Sequence, residues 1–380
     1  MGNKKSLNIA QQTISRQRIL LLGTGESGKS VLYRQFCLGD ENCLFKNEDT
    51  RRECKYIIYS GIIKFFKTLC LAVEEANLKW ELADNMNNSI FFTDLDDDIC
   101  LRRNELSSII KSTIGQNRIR SMWSDATTQT ILRTKHKHAY QFGYCIFYFM
   151  SRFDVLVRED YIPSQNDILH MRCKTTGITE HSFVNQNISN SLIDVGQQRG
   201  ERKKVIHCFP VQKVILCLAL DCFLETCYED NVTSRLTEQI NYFEESINSR
   251  FLVNVEVVLV LTHGDLLQEY LPNITLQEIK CCGGMENFDP KEVNVKSIAE
   301  YILDLHLARV TTYPRKIGYI YNDIYSSADV VQKILDNNLY YRDVYEPEVV
   351  EWDVPYHVPA KKLLFIKVPT SLTDVFFSFD

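Results

Sequence analysis

The chain has 380 residues, with 43 Lys and Arg against 49 Asp and Glu, a formal charge of −6 with histidines neutral. That length accommodates two domains of ordinary size, and 45% apolar with 24% charged residues is the composition of a globular chain, which speaks against wholesale disorder. The acidic balance speaks against a nucleic-acid binder, which carries a net basic face. No apolar run approaches the roughly 18 residues of a membrane-spanning helix, and no signal-peptide core precedes the first motif. The 13 cysteines are odd in number and form no C-x-x-C pair. In a chain without an export signal they read as reduced thiols in an intracellular protein, not as a disulfide or zinc framework.

In chain order, the first apolar run is Arg18-Ile-Leu-Leu-Leu-Gly23, followed at once by Gly23-Thr-Gly-Glu-Ser-Gly28-Lys29-Ser30, a match to G-x-x-x-x-G-K-[ST]. Glycines at this spacing let backbone N–H groups wrap phosphates at a helix N-terminus. Lys29 is placed for the β- and γ-phosphates and Ser30 for Mg²⁺. A helix is expected over Val31 to Cys37. From Cys43 to Asn166 the pattern is helical, with Ile62, Phe65, Phe66, Leu69 and Val73 on one face and a further helix over Ile146 to Val157. Four more strand-like runs follow at Ser191 to Val195, Val214 to Leu220, Val255 to Leu261 and Ile317 to Tyr321. Short continuous apolar runs suit strands buried on both faces. Asn231 to Ile247, with Leu236, Ile240, Phe243 and Ile247 in helical register, lies between two of them. The expectation is an α/β fold with a mainly parallel sheet and an all-helical domain inserted between its first and second strands. Pro347, Pro355, Pro359 and Pro369 exclude one long terminal helix, and Leu363 to Val368 is a candidate strand.

These motifs resemble those of the α subunits of heterotrimeric G proteins. Beside the phosphate loop, Asp49-Thr-Arg-Arg-Glu-Cys-Lys55 resembles the entry to that family's helical domain. Tyr161-Ile-Pro-Ser-Gln-Asn-Asp167 and Arg172-Cys-Lys-Thr-Thr-Gly-Ile178 resemble its exit linker and first switch. Asp194-Val-Gly196 and Gln198-Arg-Gly-Glu-Arg-Lys-Lys204 resemble the second switch. The resemblance runs from about Arg18 to Ile334. It implies a Ras-like P-loop GTPase domain (18–42 and 167–340), the inserted helical domain (43–166), a short N-terminal segment (1–17) and an atypical tail (341–380). It implies GTP and GDP as ligands, Mg²⁺ as cofactor, and hydrolysis of GTP.

Residue by residue, the resemblance makes Arg172 a built-in arginine finger, worth about 10³–10⁵ in rate across enzymes that include this family. It makes Gln198 the residue that orients the attacking water. Ser30 and Thr175 are hydroxyl ligands of Mg²⁺, and Asp194 holds a water on the metal. The nucleotide contacts it implies are Gly25, Glu26, Ser27, Gly28, Lys29, Ser30 and Val31 on the phosphate loop. They continue with Leu169, His170, Met171, Arg172 and Thr175 before and on the first switch. Asp194, Gly196 and Gln197 follow on the second, and Thr262, His263, Asp265 and Ile324 around the base.

Several positions depart from the family. Gln197 stands where it has the glycine that senses the γ-phosphate, so slow or altered switching is expected. Thr262-His263-Gly264-Asp265 stands for Asn-Lys-x-Asp, and Asn322 to Tyr325 for the second guanine loop; Asp265 alone keeps the base-reading carboxylate, so a relaxed guanine preference is expected. Tyr144-Cys145 replaces an Asp-Ser pair across the cleft, which removes a charged contact between domains and predicts faster nucleotide exchange. Arg202 and Glu238 match the family's pair joining the second switch to the next helix.

Met1-Gly2-Asn3-Lys4-Lys5-Ser6 fits N-myristoylation of Gly2, which places the chain at the cytoplasmic face of the plasma membrane or in the cytoplasm. One such chain binds membranes only marginally. A βγ dimer and a seven-helix receptor are the implied protein partners; the 17 residues before the first strand are fewer than relatives use to dock βγ, Asp329 to Leu339 resembles a shortened terminal helix, and the Pro-containing tail replaces the receptor-reading end. The rival reading is a degenerate nucleotide-binding scaffold without turnover; a third, an ATP-using P-loop enzyme, is disfavoured by Asp265. His136-Lys-His138 reads as an exposed basic loop, with no carboxylate or thiol cluster to make it a metal site.

Overall fold

The computed structural model describes residues 16–41, 43–133, 145–173, 175, 177–186, 188–196, 200–227, 230, 232–311, 316–321 and 329–343. The chain opens with strand β1 (Arg16–Leu22) and helix α1 (Lys29–Gly39). Among the described residues, eight α-helices follow: α2 (Glu48–Glu75), α3 (Asp84–Thr93), α4 (Arg103–Lys111), α5 (Thr113–Ser124), α6 (Ala126–Arg133), α7 (Cys145–Ser151), α8 (Phe153–Leu156) and α9 (Gln165–His170). The α/β part resumes with β2 (Ile178–Asn185), β3 (Ile188–Val195), β4 (Lys213–Ala219), α10 (Arg235–Ile247), β5 (Glu256–Thr262) and α11 (Gly264–Tyr270). It ends with α12 (Leu276–Lys280), α13 (Val295–Leu307), β6 (Lys316–Tyr321), α14 (Asp329–Leu335) and β7 (Tyr340–Asp343).

The strands form one sheet in the order β2-β3-β1-β4-β5-β6-β7. Its five central strands are parallel; β2 and β7 are antiparallel edges. Alternation along β1 sends Leu20 and Leu22 into the core beneath α10 and α13, and Ile19 and Leu21 into the core beneath α1 and α14. Burial on both faces is why β1 and β4 read as unbroken apolar runs.

Helices α2 to α9 carry a core of their own. The Asn47 side chain accepts from the N–H groups of Asp49 and Thr50, and Glu48 and Asp49 complement the helix dipole, so α2 starts where its cap dictates. Contrary to the expectation from apolar run length, α2 is long and apolar enough to cross a membrane. Yet 56% of that apolar window is buried inside the protein, so α2 serves as the core helix of this unit.

Two local expectations are corrected, and one strand was not read from the sequence. The helix expected over Ile146 to Val157 breaks at Arg152 into α7 and α8, because Arg152 adopts φ −111° and ψ 15°, outside helical values. Edge strand β2 lacks a continuous apolar run, since the exposed polar residues Thr179, Glu180 and Ser182 interrupt its apolar ones. The terminal helix expected to reach Leu339 stops at Leu335. Buried Lys213 donates to the Ile334 carbonyl (3.2 Å) and to Asn337 Oδ1 (2.7 Å), and Asn337 turns left-handed at φ 53°. The chain then returns as β7 along β6. Leu363 to Val368 lies outside the described residues.

Candidate functional site

The site lies at the C-terminal ends of β1, β3, β4 and β5, where open α/β sheets bind ligands. Residues 23–28 pass tightly from β1 to α1: a Cβ on Gly23 would sit 2.5 Å from Ser27 Oγ and 2.7 Å from the Cys217 carbonyl, so no larger residue fits. Gly28 (φ 80°) and Glu26 (φ 59°) are left-handed, which turns the loop's N–H groups toward its concave side. Val31 is buried on α1. Lys29 Nζ donates to the carbonyls of Gly23 (3.0 Å) and Thr24 (2.9 Å). Burial pulls this lysine down to about 8, against the raising influence of the Asp194 carboxylate.

Three groups from three segments meet beside Lys29. Ser30 Oγ lies 3.2 Å from Thr175 Oγ1, which donates to Asp194 Oδ2 at 3.3 Å. Asp194 is 2% exposed, burial pushes its carboxyl upward, and Oδ1 is buried without a hydrogen bond from any described residue. An orphaned carboxylate oxygen beside two hydroxyls is the environment a hard divalent cation completes. The residues present therefore fit Mg²⁺.

The first switch is held from both sides. Its linker α9 starts in a reciprocal Ser164–Asp167 cap, and Arg34 of α1 donates to the Leu169 carbonyl at 3.1 Å. His170 stacks on Tyr148 at 3.6 Å between ring centroids, and burial lowers its pKa. Met171 is buried; Arg172 is exposed and ion-pairs with Glu26 of the phosphate loop. Arg235 at the start of α10 joins this group. It pairs with Glu225, lies 3.6 Å from Glu26 and donates to the Gly25 carbonyl at 3.0 Å.

On the second switch, Gly196 donates to the Gly177 carbonyl at 3.0 Å, and a Cβ there would meet the Thr175 carbonyl at 2.8 Å. Glu201 accepts from the Gly177 N–H at 2.8 Å, tying the two switches together. Arg202 donates to Glu238 at 2.9 Å, so the two latch residues read from the sequence are joined.

The residues expected to read a base, Thr262, His263 and Asp265, are turned to different surroundings. Thr262 is fully buried, its hydroxyl within 3.0 Å of the Ser27 carbonyl and 3.2 Å of the Leu218 carbonyl. It braces the phosphate loop from inside. His263 Nδ1 lies 2.6 Å from Asp221 Oδ1, within its own domain. Asp265 is partly buried in the first turn of α11. Cys145 is partly buried at the start of α7, and burial pushes its thiol up to about 11. Gly2, Tyr144, Gln197, Gln198 and Ile324 lie outside the described residues, as do 322–325 and the histidine pair at 136 and 138.

Sequence reasoning missed Arg34, Asp221 and Arg235, and gave no role to Glu201 although that residue lies within the second-switch motif. Each acts by supporting another residue, and the one available signal was an acidic residue directly after the apolar run of β4.

A family model described as G-protein alpha subunit matches residues 3–338. The human guanine nucleotide-binding protein subunit alpha-13 is 32% identical over 262 residues, which cover 69% of this chain and 68% of that one. A guanine nucleotide-binding protein subunit alpha of Emericella nidulans is 32% identical over 258 residues (67% and 69%). The alpha-16 subunit of Caenorhabditis briggsae is 32% identical over 282 residues (72% and 74%). The seven-stranded, mostly parallel sheet with helices between its first two strands agrees with that assignment. The chain belongs to the G-protein α-subunit family, with a Ras-like GTPase domain and a helical domain.

Proposed function

We propose that this chain is a guanine-nucleotide switch that binds GTP and GDP with Mg²⁺ and hydrolyses GTP. The observation that carries this reading is the meeting of Ser30, Thr175 and Asp194 around an orphaned carboxylate oxygen beside Lys29. The phosphate loop binds the phosphates through N–H groups and Lys29; Ser30, Thr175 and Asp194 would hold Mg²⁺, which would supply positive charge to the transferring phosphoryl group. Arg172, released from Glu26, turns to the transferring phosphoryl group, and Gln198 orients the attacking water. Gln197 slows the response to the γ-phosphate. Asp265 reads the purine edge, and its solitary role relaxes base preference. Gly2 carries a myristoyl group that brings the chain to the cytoplasmic face of the plasma membrane, where a βγ dimer and a seven-helix receptor are its partner classes.

The second reading is a scaffold that holds nucleotide without turnover. It draws on Thr262, whose hydroxyl is engaged by the Ser27 and Leu218 carbonyls instead of facing a base. Equilibrium binding of GTP, GDP and ATP with and without Mg²⁺, in wild type and Gln197→Gly, separates the readings. Mg²⁺-dependent GTP binding that tightens in Gln197→Gly supports the switch. Binding indifferent to Mg²⁺ and to that substitution supports the scaffold, and equal GTP and ATP affinity overturns guanine preference.

A further inference from the structure

We propose that Asp221, at the end of β4, is a positioning residue of the base subsite: by holding the His263 ring it fixes the turn that presents Asp265 to the purine. This rests on the reading of the cleft as a guanine-nucleotide site.

The geometry begins in the sheet. Parallel neighbours β4 and β5 pair as far as Ala219 and Thr262, and the Leu220 N–H extends the pairing to the Thr262 carbonyl at 3.0 Å. Asp221 and His263 are therefore the first residues to leave the two strands side by side, at the sheet end where ligands bind. Both are buried, Asp221 at 3% exposure and His263 at 7%. A carboxylate so placed must be hydrogen-bonded, and it lies 2.6 Å from the imidazole Nδ1.

The bond matters because of the backbone that it supports. His263 is left-handed at φ 66°, a conformation unfavourable for a side chain with a Cβ and kept only where its surroundings hold it. It caps α11, its carbonyl accepting from Leu267 N–H at 2.9 Å, and Asp265 follows two residues later. Thr262 is held from the phosphate loop and His263 from β4, so both residues leading to Asp265 are anchored inward.

Asp221 also opens the 3₁₀ turn Cys222–Leu224, its backbone carbonyl accepting from Leu224 N–H at 3.0 Å. Glu225, directly after that turn, pairs with the Arg235 that holds the Gly25 carbonyl. Gln239 fixes the preceding end of β4 by accepting from Ala219 N–H at 2.8 Å. One short segment thus supports the base turn through Asp221 and the phosphate loop through Glu225. No sequence motif marks Asp221.

The experiment uses the full chain and compares wild type, Asp221→Ala, Asp221→Asn, His263→Ala and the Asp221→Ala/His263→Ala pair. GDP release, the GDP-to-ADP affinity ratio and the His263 ring resonances of nucleotide-free protein are measured. Asp221→Ala is expected to speed GDP release about tenfold, the scale of one lost hydrogen bond to a charged group, and to narrow the GDP-to-ADP ratio. His263→Ala should match it, and the double variant should be no faster than either, because both substitutions remove one interaction. Asp221→Asn, which keeps an acceptor in place, should restore most of the wild-type behaviour. The Nδ1–H resonance of His263 should be protected in wild type and lost to water exchange in Asp221→Ala, a result independent of nucleotide. Unchanged release in Asp221→Ala, multiplicative effects in the double variant, or an unprotected Nδ1–H in wild type overturns the proposal. A wild-type protein that retains no GDP overturns the nucleotide reading itself, while the ring resonances still report whether the Asp221–His263 bond forms.

Discussion

Arg202 of the second switch donates to Glu238 of α10 at 2.9 Å, and Glu238 takes a second contact from Cys227 Sγ at 2.9 Å on its other oxygen. The guanidinium also lies over the Tyr242 ring at 4.9 Å. The pair is mostly shielded, with side-chain exposures of 18% and 12%, so it is screened less than a surface bridge. Glu238→Ala leaves Arg202 without this partner and is expected to cost about 1–3 kcal/mol. Chemical denaturation should show the loss, and proteolysis of the second switch should become insensitive to GTP. A variant as stable and as GTP-responsive as wild type would contradict a latch.

Lys29 supplies a prediction of opposite signs for stability and binding. Its folded value of about 8 lies below the ordinary 10.5, so between those values the unfolded chain holds a proton that the nucleotide-free fold has released. Stability of the free protein should therefore rise as pH increases from about 8 to 10.5, where the burial penalty of the cation is relieved. Nucleotide association should fall over the start of the same window, because the phosphates lose a positive partner. Lys29→Met should flatten both profiles in denaturation and binding titrations.

Asp194 should separate stability from function in a related way. Its carboxylate is buried with one oxygen unsatisfied, and burial raises its pKa. Asp194→Asn removes that charge at similar volume. The free protein should be at least as stable, whereas Mg²⁺-dependent GTP retention should drop about 10–100-fold, the range for groups that orient a metal's own ligands. Thermal melts with and without Mg²⁺ and GTP make the comparison. A destabilised free protein with unchanged retention would sink this assignment.

Arg172 is exposed and ion-pairs with Glu26 of the phosphate loop. Arg172→Ala is expected to lower single-turnover hydrolysis by about 10³–10⁵, the range established for arginine fingers, this family's included. GTP affinity should change little. Equal losses in affinity and rate would instead assign Arg172 to ground-state binding.

Much of this fold was legible because burial on both faces writes itself as apolar runs: β1, β3, β4, β5 and β6 each fall on one. Edge strand β2 was not, since Thr179, Glu180 and Ser182 face outward or pair with polar groups and break the pattern. Strand β7 is four residues, too short for periodicity, and exists because Lys213, distant in sequence, ends α14 first. At the site, the phosphate loop was legible from spacing. Thr262 and His263 share a motif position with base-reading residues, but the partners that turn them inward, Ser27 and Asp221, lie 235 and 42 residues away. Supporting contacts of that kind leave no local signature.

The central claim is that Ser30, Thr175 and Asp194 form a Mg²⁺ site serving GTP hydrolysis. Single-turnover phosphate release from GTP by the full chain, with Mg²⁺ and then with chelator, tests it most directly. The account predicts release with Mg²⁺ that is abolished by chelator and by Thr175→Ala. Release that proceeds equally in chelator, or no release in either wild type or Gln197→Gly, would contradict it.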